Sequence, residues 1–185
     1  MGQRSEIYVA YETQNGEKKI VARYFQWNYG EHMISRIAFT AIWLKKHVKH
    51  SIDKNDLISI IETDFDFVDH QKSADIVQKR EGRSERLSIQ LDNDLNDGRG
   101  FLFVSRDGTV KYCFTKNNEI KPLDCCGYML FDTESCYPQY QWINEEYKKS
   151  ERMSKCREHI KWLCRNAGVM TQEELDEFVH ADYIA

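Results

Sequence analysis

Residues 19–50 constrain the fold most, because they change from a strand pattern to a helical pattern within one continuous stretch. From Ile20 to Trp27, two largely apolar sets of side chains alternate. Alternation with a period of two places the sets on opposite faces of a strand, so both faces of this strand are expected to pack. From Ile34 to Val48, apolar residues recur three or four positions apart, which predicts a helix over residues 31–50 that lies on a sheet.

The junction between this strand and this helix is the first candidate for a functional surface. Trp27, Asn28 and Tyr29 lie there, where aromatic and amide groups reach solvent at the end of a strand. Aromatic side chains supply much of the binding energy at protein interfaces, which makes Trp27 and Tyr29 candidate anchors. The alternative is that both rings belong to the core.

Composition favours a globular protein without a membrane segment. The chain has 185 residues, of which 41% are hydrophobic, with two prolines and nine glycines. This length suffices for one sizeable domain, and so few prolines and glycines argue against linkers and disorder. No apolar run approaches the roughly 20 residues of a membrane-spanning helix, and the amino terminus lacks the apolar core of a signal peptide. We therefore expect a cytoplasmic protein with no membrane contact.

The overall charge does not indicate nucleic-acid binding. The net charge is −4 at pH 7 and the pI is about 5.9, so contact with phosphates would need a local basic patch. One basic cluster falls at the end of the predicted helix: Lys45, Lys46, His47, Lys49 and His50. Cations at this position offset the helix dipole, which explains the cluster without a ligand, and phosphate contact is the alternative.

The six cysteines are interpreted as reduced, buried side chains, because no secretory signal accompanies them. Cys156 and His159 lie three positions apart, but a zinc site needs a second pair with matching spacing. Glycine-rich phosphate loops, the GxSxG motif and the HExxH motif are absent from the sequence. No metal and no cofactor is therefore predicted. An enzyme that assembles a cysteine and a histidine from distant positions remains an alternative.

Turn signals predict two β-hairpins. Asn-Gly at positions 15–16 lies between a strand pattern at 6–12 and the strand that contains Ile20. Asp-Gly at positions 107–108 lies between two runs rich in β-forming residues. A further strand is predicted at residues 87–91, where leucine and isoleucine alternate with polar residues.

Helical spacing returns in three other places. Residues 56–63 predict a short helix capped near Asp53, and residues 73–80 predict a helical or loose segment. A helical stripe runs from Gln141 to Asn166, and a capping box that begins at Thr171 starts a final helix. We expect the last two helices to form an antiparallel hairpin.

Two acidic segments are candidate binding surfaces. They contain Asp64, Asp66 and Asp69 in the first segment and Asp92, Asp94 and Asp97 in the second. Their spacing matches no known metal loop, and the second segment lacks the bidentate Glu that ends a calcium loop. Carboxylates on a rigid scaffold compete for the cations of a basic channel, and two solvated loops are the alternative.

Taken together, these patterns predict an α+β fold. We expect a mostly antiparallel sheet built from hairpins, one long helix packed on it, and a carboxy-terminal helical hairpin. Residues 1–140 are expected to form the core domain. Residues 141–185 are expected to form the helical hairpin, packed on the core as one unit.

Five segments of the sequence carry a family resemblance: MGQRSEIYV at 1–9, ARYFQWNYGE at 22–31, MISR at 33–36, NDG at 96–98 and DGTVKYCF at 107–114. Through these segments about half of the chain resembles small, mostly uncharacterised proteins from phages and mobile elements of Gram-positive bacteria. This similarity implies a phage or prophage accessory protein in the cytoplasm of a bacterial host cell. Inhibition of CRISPR nucleases is one activity of small proteins of this origin. The resemblance supplies no catalytic residues.

The sequence therefore favours an interaction protein over an enzyme. The leading hypothesis is an anti-CRISPR protein that binds a host protein, a Cas9-type nuclease, and blocks its DNA binding or cleavage. The alternative is a small cytosolic enzyme, either a hydrolase or a nucleic-acid-modifying enzyme, with a cysteine and histidine site. No pattern in the sequence indicates an oligomeric state.

Overall fold

The computed structural model describes residues 4–26, 30–64, 69–91, 98–116, 118–121 and 151–185. The helices in these ranges are α1 (Gly30–His47), α2 (Lys54–Glu62), α3 (Glu151–Asn166) and α4 (Gln172–His180). The strands are β1 (Arg4–Glu12), β2 (Lys18–Gln26), β3 (Thr63–Asp64), β4 (Asp69–His70), β5 (Ala74–Asp75), β6 (Gln78–Arg80), β7 (Arg83–Ser88), β8 (Arg99–Val104), β9 (Val110–Lys116), β10 (Glu119–Lys121), β11 (Ala167–Val169) and β12 (Tyr183–Ile184).

Two long hairpins form the centre of the sheet, in the order β9-β8-β1-β2. β1 pairs with β2 and β8 pairs with β9, each in antiparallel register. The hairpins meet where β1 and β8 run parallel, with Ile7 opposite Gly100 and Tyr11 opposite Val104. The predicted α+β class and the mostly antiparallel sheet are confirmed, and the parallel pair at the centre makes the sheet mixed.

The two hairpins close with the same turn. In the first, Thr13 N donates to Glu17 O and Gly16 N donates to Thr13 O, and in the second the same bonds join residues 105–109. Gly16 and Gly108 carry the positive φ angles, 82° and 89°. Only one residue of each turn adopts the left-handed region, as in longer hairpin loops that end in a glycine bulge. The predicted hairpins form, with five-residue connections in place of tight two-residue turns.

Short strands extend the sheet on both sides of the central four. β10 and β11 share the outer edge of β9, and β12 and β5 share the outer edge of β2. β7 then pairs with β12, and β6 with β7. Residues 73–80 were expected to be helical or loose, and they instead contain β5 and β6. β3 and β4 form a separate two-stranded ribbon.

One face of the sheet is covered by α1, α2 and α3. Their apolar side chains and those of the sheet form one buried cluster that includes Ile7, Val9, Val21, Phe25, Ile34, Ile37, Ala41, Leu57, Leu102, Tyr112 and Leu163. The predicted stripe of α1 lies in this cluster. α1 approaches β8 closely at Gly100, where an added methyl group would lie 3.0 Å from Ile37 Cγ1. Glycine therefore sets the spacing between this helix and the sheet.

The opposite face is covered by α4 and by the segment between β5 and β6. Its buried cluster includes Tyr8, Ala10, Ile20, Ala22, Phe101, Cys113, Met170, Leu175, Phe178 and Tyr183. Both faces of β2 pack, as its two apolar sets predict. Thr171 caps α4 by accepting a hydrogen bond from Glu174 N at 3.1 Å, and Asp53 caps α2 in the same way through Asn55 N and Asp56 N.

The expected carboxy-terminal antiparallel helical hairpin is not confirmed. α3 contributes Leu163 to the first cluster, whereas α4 contributes Leu175 and Phe178 to the second. Between the two helices, β11 pairs in parallel with β9 at the edge of the sheet, so the chain passes from one face to the other. Helical spacing in the sequence predicts both helices. It cannot show that the three residues between them form a strand that pairs with β9. The expected domain boundary at residue 140 lies outside the described residues.

Within the described ranges, no helix combines the length and the apolar character needed to cross a membrane.

Candidate functional site

The two ends of the central sheet differ in what they carry. At one end lie the connections 13–17 and 105–109, and we call it the turn end. At the other end Arg4 of β1 pairs with Gln26 of β2, and Glu6 pairs with Arg99 of β8. Glu6 N also donates to Gly98 O at 3.4 Å. We call this second end the junction end, because the β2–α1 junction begins there.

Described residues next to each of the three predicted binding segments lie at or contact the junction end. Residues 27–29 follow Gln26, and residues 92–97 precede Gly98. Residues 65–68 connect β3 to β4, and Gln71, which follows β4, donates its side-chain amide to Gln26 O. Segments up to about 70 residues apart in the sequence are therefore anchored at one end of the sheet.

The individual candidate residues lie largely outside the described structure. Outside it are Trp27, Asn28, Tyr29, Asp66, Asp92, Asp94 and Asp97. Asp64 and Asp69 are paired with each other in the β3–β4 ribbon, and only their backbone is described. The structure thus places the attachment points of the predicted segments and leaves the role of each side chain a prediction.

A polar cavity of about 350 Å³ opens beside the junction end. The residues that line it include Glu6, Tyr8, Asp75, Gln78, Gln90 and Arg99. Arg99 Nε donates to Glu6 Oε2 at 2.7 Å, and Tyr8 OH donates to the same oxygen at 2.9 Å. Arg99 Nη1 also donates to Asn118 Oδ1 at 2.9 Å. One carboxylate oxygen thus receives two donors, which fixes the wall of the cavity.

Burial affects both the ion pair and the tyrosine in this group of side chains. Arg99 is only 3% exposed, so its ion pair with Glu6 is weakly screened by solvent. Burial raises the pKa of Tyr8 well above its usual value, and the charge of Glu6 and the hydrogen bond to it raise that pKa further. Tyr8 therefore stays a neutral donor at physiological pH. The arrangement could orient a polar ligand, and none of the side chains named here is an activated nucleophile.

A second polar network lies on the α2 side of the junction end. Glu62 Oε1 accepts hydrogen bonds from Ser73 N at 2.9 Å and Ser73 Oγ at 2.8 Å, and His70 Nε2 lies 3.3 Å from Glu62 Oε2. Arg23 Nε donates to Ser73 Oγ at 2.7 Å. The serine and the histidine both contact the glutamate, so the order of groups differs from a serine, histidine and acid triad. This network holds the chain after β4 against α2.

Arg36 links α1 to the end of α2. It is 1% exposed, and its Nη1 donates to Ile61 O at 3.3 Å and Glu62 O at 2.5 Å. Its guanidinium carbon lies 4.6 Å from the centre of the Phe25 ring. The carboxy-terminal carbonyls of a helix carry partial negative charge, so a buried arginine is favoured at this position. Arg36 thereby fixes the base of the β3–β4 ribbon.

The described cysteines give little support to a thiol nucleophile. Burial, and to a smaller extent the charge of Glu174, raises the pKa of Cys113 to about 12. Such a pKa leaves about one thiol in 10⁵ ionised at neutral pH, whereas a nucleophilic cysteine needs its thiolate. Cys164 is the other cysteine whose side chain is described, and it is half-buried on α3. The other four are Cys125, Cys126, Cys136 and Cys156, whose side chains lie outside the described structure.

Sequence reasoning missed the charged residues that build this end. Glu6 and Arg99 are 93 positions apart, and Arg36 binds carbonyls 25 and 26 positions away. No local pattern connects such pairs. One available signal was Glu6 itself, since it stands on the same face of its strand as Tyr8 and Ala10, which are buried.

Among the described residues, no three metal-ligating side chains lie together. No protein-family model, no curated protein and no solved structure matches this chain.

Proposed function

We propose that this protein is a phage- or mobile-element-encoded interaction protein that binds a Cas9-type nuclease and blocks its DNA binding or cleavage. The observation that supports a binding role is the attachment of three separate segments, rich in aromatic and acidic residues, to the junction end. The choice of a Cas9-type nuclease rests on the resemblance to phage proteins described above.

Electrostatics explain how such a surface would inhibit the nuclease. Cas9-type nucleases hold the guide and target strands in a positively charged channel and read the PAM with arginines. The carboxylates of Asp64, Asp66 and Asp69, or those of Asp92, Asp94 and Asp97, would compete with DNA for these cations. Trp27 and Tyr29 would add apolar anchors, which supply interface energy better than charges at the rim.

Rigid support favours binding by these segments. Ordering a free loop in a complex lowers the affinity, and a loop held at both ends by a sheet has less freedom to lose. The Arg99 to Glu6 ion pair anchors β8 to β1 next to Gly98, and the hydrogen bond from Gln71 to Gln26 anchors the ribbon. The three segments would therefore contact a partner from the same end of the sheet.

A cleavage assay with purified components tests the proposal. Increasing amounts of the protein are added to a fixed amount of guide-loaded Cas9 and a DNA target. If the protein acts by binding, cleavage should fall in proportion to the amount of protein added. It should stop when inhibitor and nuclease are present in about equal amounts. Inhibition at a small fraction of the nuclease concentration would indicate turnover and support the enzyme alternative. If the protein neither binds Cas9 nor changes cleavage, the Cas9 assignment is wrong.

Matched substitutions test the role of the junction end. Replacing Asp92 and Asp94 with Asn should raise the half-inhibitory concentration about tenfold or more, since about 1.4 kcal/mol of lost binding energy corresponds to tenfold. The control replaces Glu81 and Glu173 with Gln, because both are exposed and the change in net charge is the same. Equal loss in both variants would mean that net charge, and not this surface, controls inhibition.

A further inference from the structure

We infer that the turn end of the sheet binds the phosphate backbone of a nucleic acid. α1, α3 and the 105–109 turn meet there, and each of them carries basic residues, at the opposite end of the sheet from the proposed nuclease surface. This inference does not depend on the Cas9 assignment.

Direct contacts bring the three elements together. The side-chain amide of Gln14 donates to Val48 O at 3.2 Å, just after α1, and to Arg106 O at 3.0 Å. Lys45 Nζ lies 5.8 Å from the centre of the Trp162 ring on α3. A methyl group added to Gly108 would lie 3.8 Å from Lys45 Cγ. Lys45 therefore lies between α3 and the 105–109 turn.

Six exposed cations lie on these elements or, for Lys49, just beyond the end of α1. They are Lys45, Lys46, Lys49, Arg106, Lys161 and Arg165. None of the six forms an ion pair with a carboxylate of another described residue, whereas Lys111, Lys121 and four arginines elsewhere do. Their charges are thus available to an external anion.

Two carboxylates at the turn end, Glu12 and Asp107, already accept hydrogen bonds from the backbone, whereas Glu17 in the 13–17 connection is exposed. Glu12 Oε2 accepts from Arg106 N at 3.2 Å, and Asp107 Oδ1 accepts from Thr109 N at 3.0 Å and from the Ser105 hydroxyl. The hydrogen bond from Ser105, followed by those from Thr109, lowers the pKa of Asp107 to about 2. These acids stabilise the turn, while the basic side chains extend into solvent.

A helix dipole does not account for the whole group. It explains why Lys45 and Lys46 stand in the last turn of α1 and Arg165 in the last turn of α3. Arg106 lies in a hairpin turn, and Lys49 lies beyond the end of α1. A surface built from several elements and directed at phosphates explains all of these positions.

The chemistry of this end fits nucleic acid better than lipid or protein. Insertion into a membrane needs exposed apolar side chains, and protein hot spots are enriched in exposed Trp and Tyr as well as Arg. Val169 is the one large hydrophobic residue that is exposed among the described residues, and it is on β11. A nucleic acid instead offers a regular row of phosphates, and charge alone suffices to bind it.

The net charge of −4 does not oppose this binding. β1 has nine residues, which span about 30 Å at about 3.3 Å per residue. At 0.1 M salt, charges more than about 10 Å apart are largely screened from each other, and the junction end is about three such lengths away. Phosphates at the turn end respond mainly to the charges of that end, where the six cations outnumber the carboxylates of Glu12, Glu17 and Asp107.

Fluorescence anisotropy with a labelled duplex of arbitrary sequence, in the absence of any nuclease, tests the inference. If roughly four phosphates are contacted, the slope of log K against log salt should be about −3.6, and affinity should fall about 150-fold between about 50 and 200 mM salt. A slope near zero would overturn the inference. So would equally tight binding to anionic vesicles or to polyglutamate, because either would show that phosphate strands are not the preferred partner.

Matched variants locate the surface. Replacing Lys46 and Lys49 with Gln should reduce the magnitude of the slope by about two, since each phosphate contact contributes about one. The control replaces Arg4 and Lys72 with Gln, because both are exposed and adjoin the junction end, where Arg4 pairs with Gln26 and Gln71 contacts Gln26. Retention of the full slope in the first variant, or an equal decrease in the control, would show that the turn end is not the binding surface. Circular dichroism of both variants confirms that they are folded.

Discussion

Alkaline pH should destabilise this protein, because buried acids on one face of its sheet cannot ionise in place. Burial raises the pKa of Cys113 from 9.0 to about 12, and it raises the pKa of Tyr8 and Tyr183 above 10.0. In the unfolded chain these groups release their protons at their ordinary pKa values, whereas the folded chain keeps them. The unfolded state then binds fewer protons, so the free energy of unfolding falls as pH rises.

The size of this loss of stability follows from the pH interval between the unfolded and folded pKa values of each group. Each group contributes about 1.4 kcal/mol per pH unit between its unfolded and folded pKa values. From about pH 9 to about pH 11, Cys113 therefore accounts for about 2.7 kcal/mol, and each tyrosine for about 1.4 kcal/mol above pH 10. The sum of about 5.5 kcal/mol is comparable with the whole stability of a small domain, about 5 to 15 kcal/mol.

Urea unfolding at a series of pH values, with a reducing agent present, measures this loss. Between about pH 9 and 10, Cys113→Ala should lose about 1.4 kcal/mol less stability than the wild type, since the thiol has been removed. Val110→Ala, on the same strand, is the control: it leaves a cavity, lowers stability at every pH and retains the wild-type slope. If Cys113→Ala also keeps the wild-type slope, the thiol is not held protonated by burial.

Three further predictions concern packing, the buried arginine and helix capping. Gly100→Ala should lower the free energy of unfolding by about 1 to 3 kcal/mol, because the new methyl group would crowd Ile37; an unchanged urea midpoint would show that α1 moves away at no cost. Arg36→Met should lower it by about 2 kcal/mol, since two carbonyls at the end of α2 lose a donor; stability equal to that of the wild type in the same titration would mean that water replaces the arginine. Asp53→Ala should lower it by about 1 kcal/mol through loss of the α2 cap, whereas Asp56→Ala, at an exposed position within α2, should cost less.

Local patterns predicted the parts of the fold that neighbouring residues decide. Gly16 and Gly108 each supply the positive φ that closes a hairpin, and Thr171 caps α4 through a residue three positions away. The parallel pairing of β1 with β8 was not predicted, because it joins residues about 93 positions apart. The insertion of β12, only two residues long, between β2 and β7 was missed for the same reason.

The candidate site was predictable only as a set of separate segments. Aromatic residues after a strand and clustered carboxylates in turn-rich segments are visible in the sequence. Their attachment to one end of the sheet depends on the register of β1 with β2 and β8, which no local pattern reports. The ion pair between Glu6 and Arg99 arises from that register, because the two residues face each other only when β8 is aligned with β1.

The parallel pairing of β1 with β8 affects how the chain folds during synthesis. The edge of β1 that β8 occupies stays unpaired until about 90 more residues have been made. At an elongation rate of about 5 to 20 residues per second, this edge remains unpaired for roughly 5 to 20 seconds during synthesis. An open strand edge pairs readily with other chains. The nascent protein is therefore most exposed to aggregation before β8 emerges, and faster elongation through residues 12–99 should increase the soluble yield.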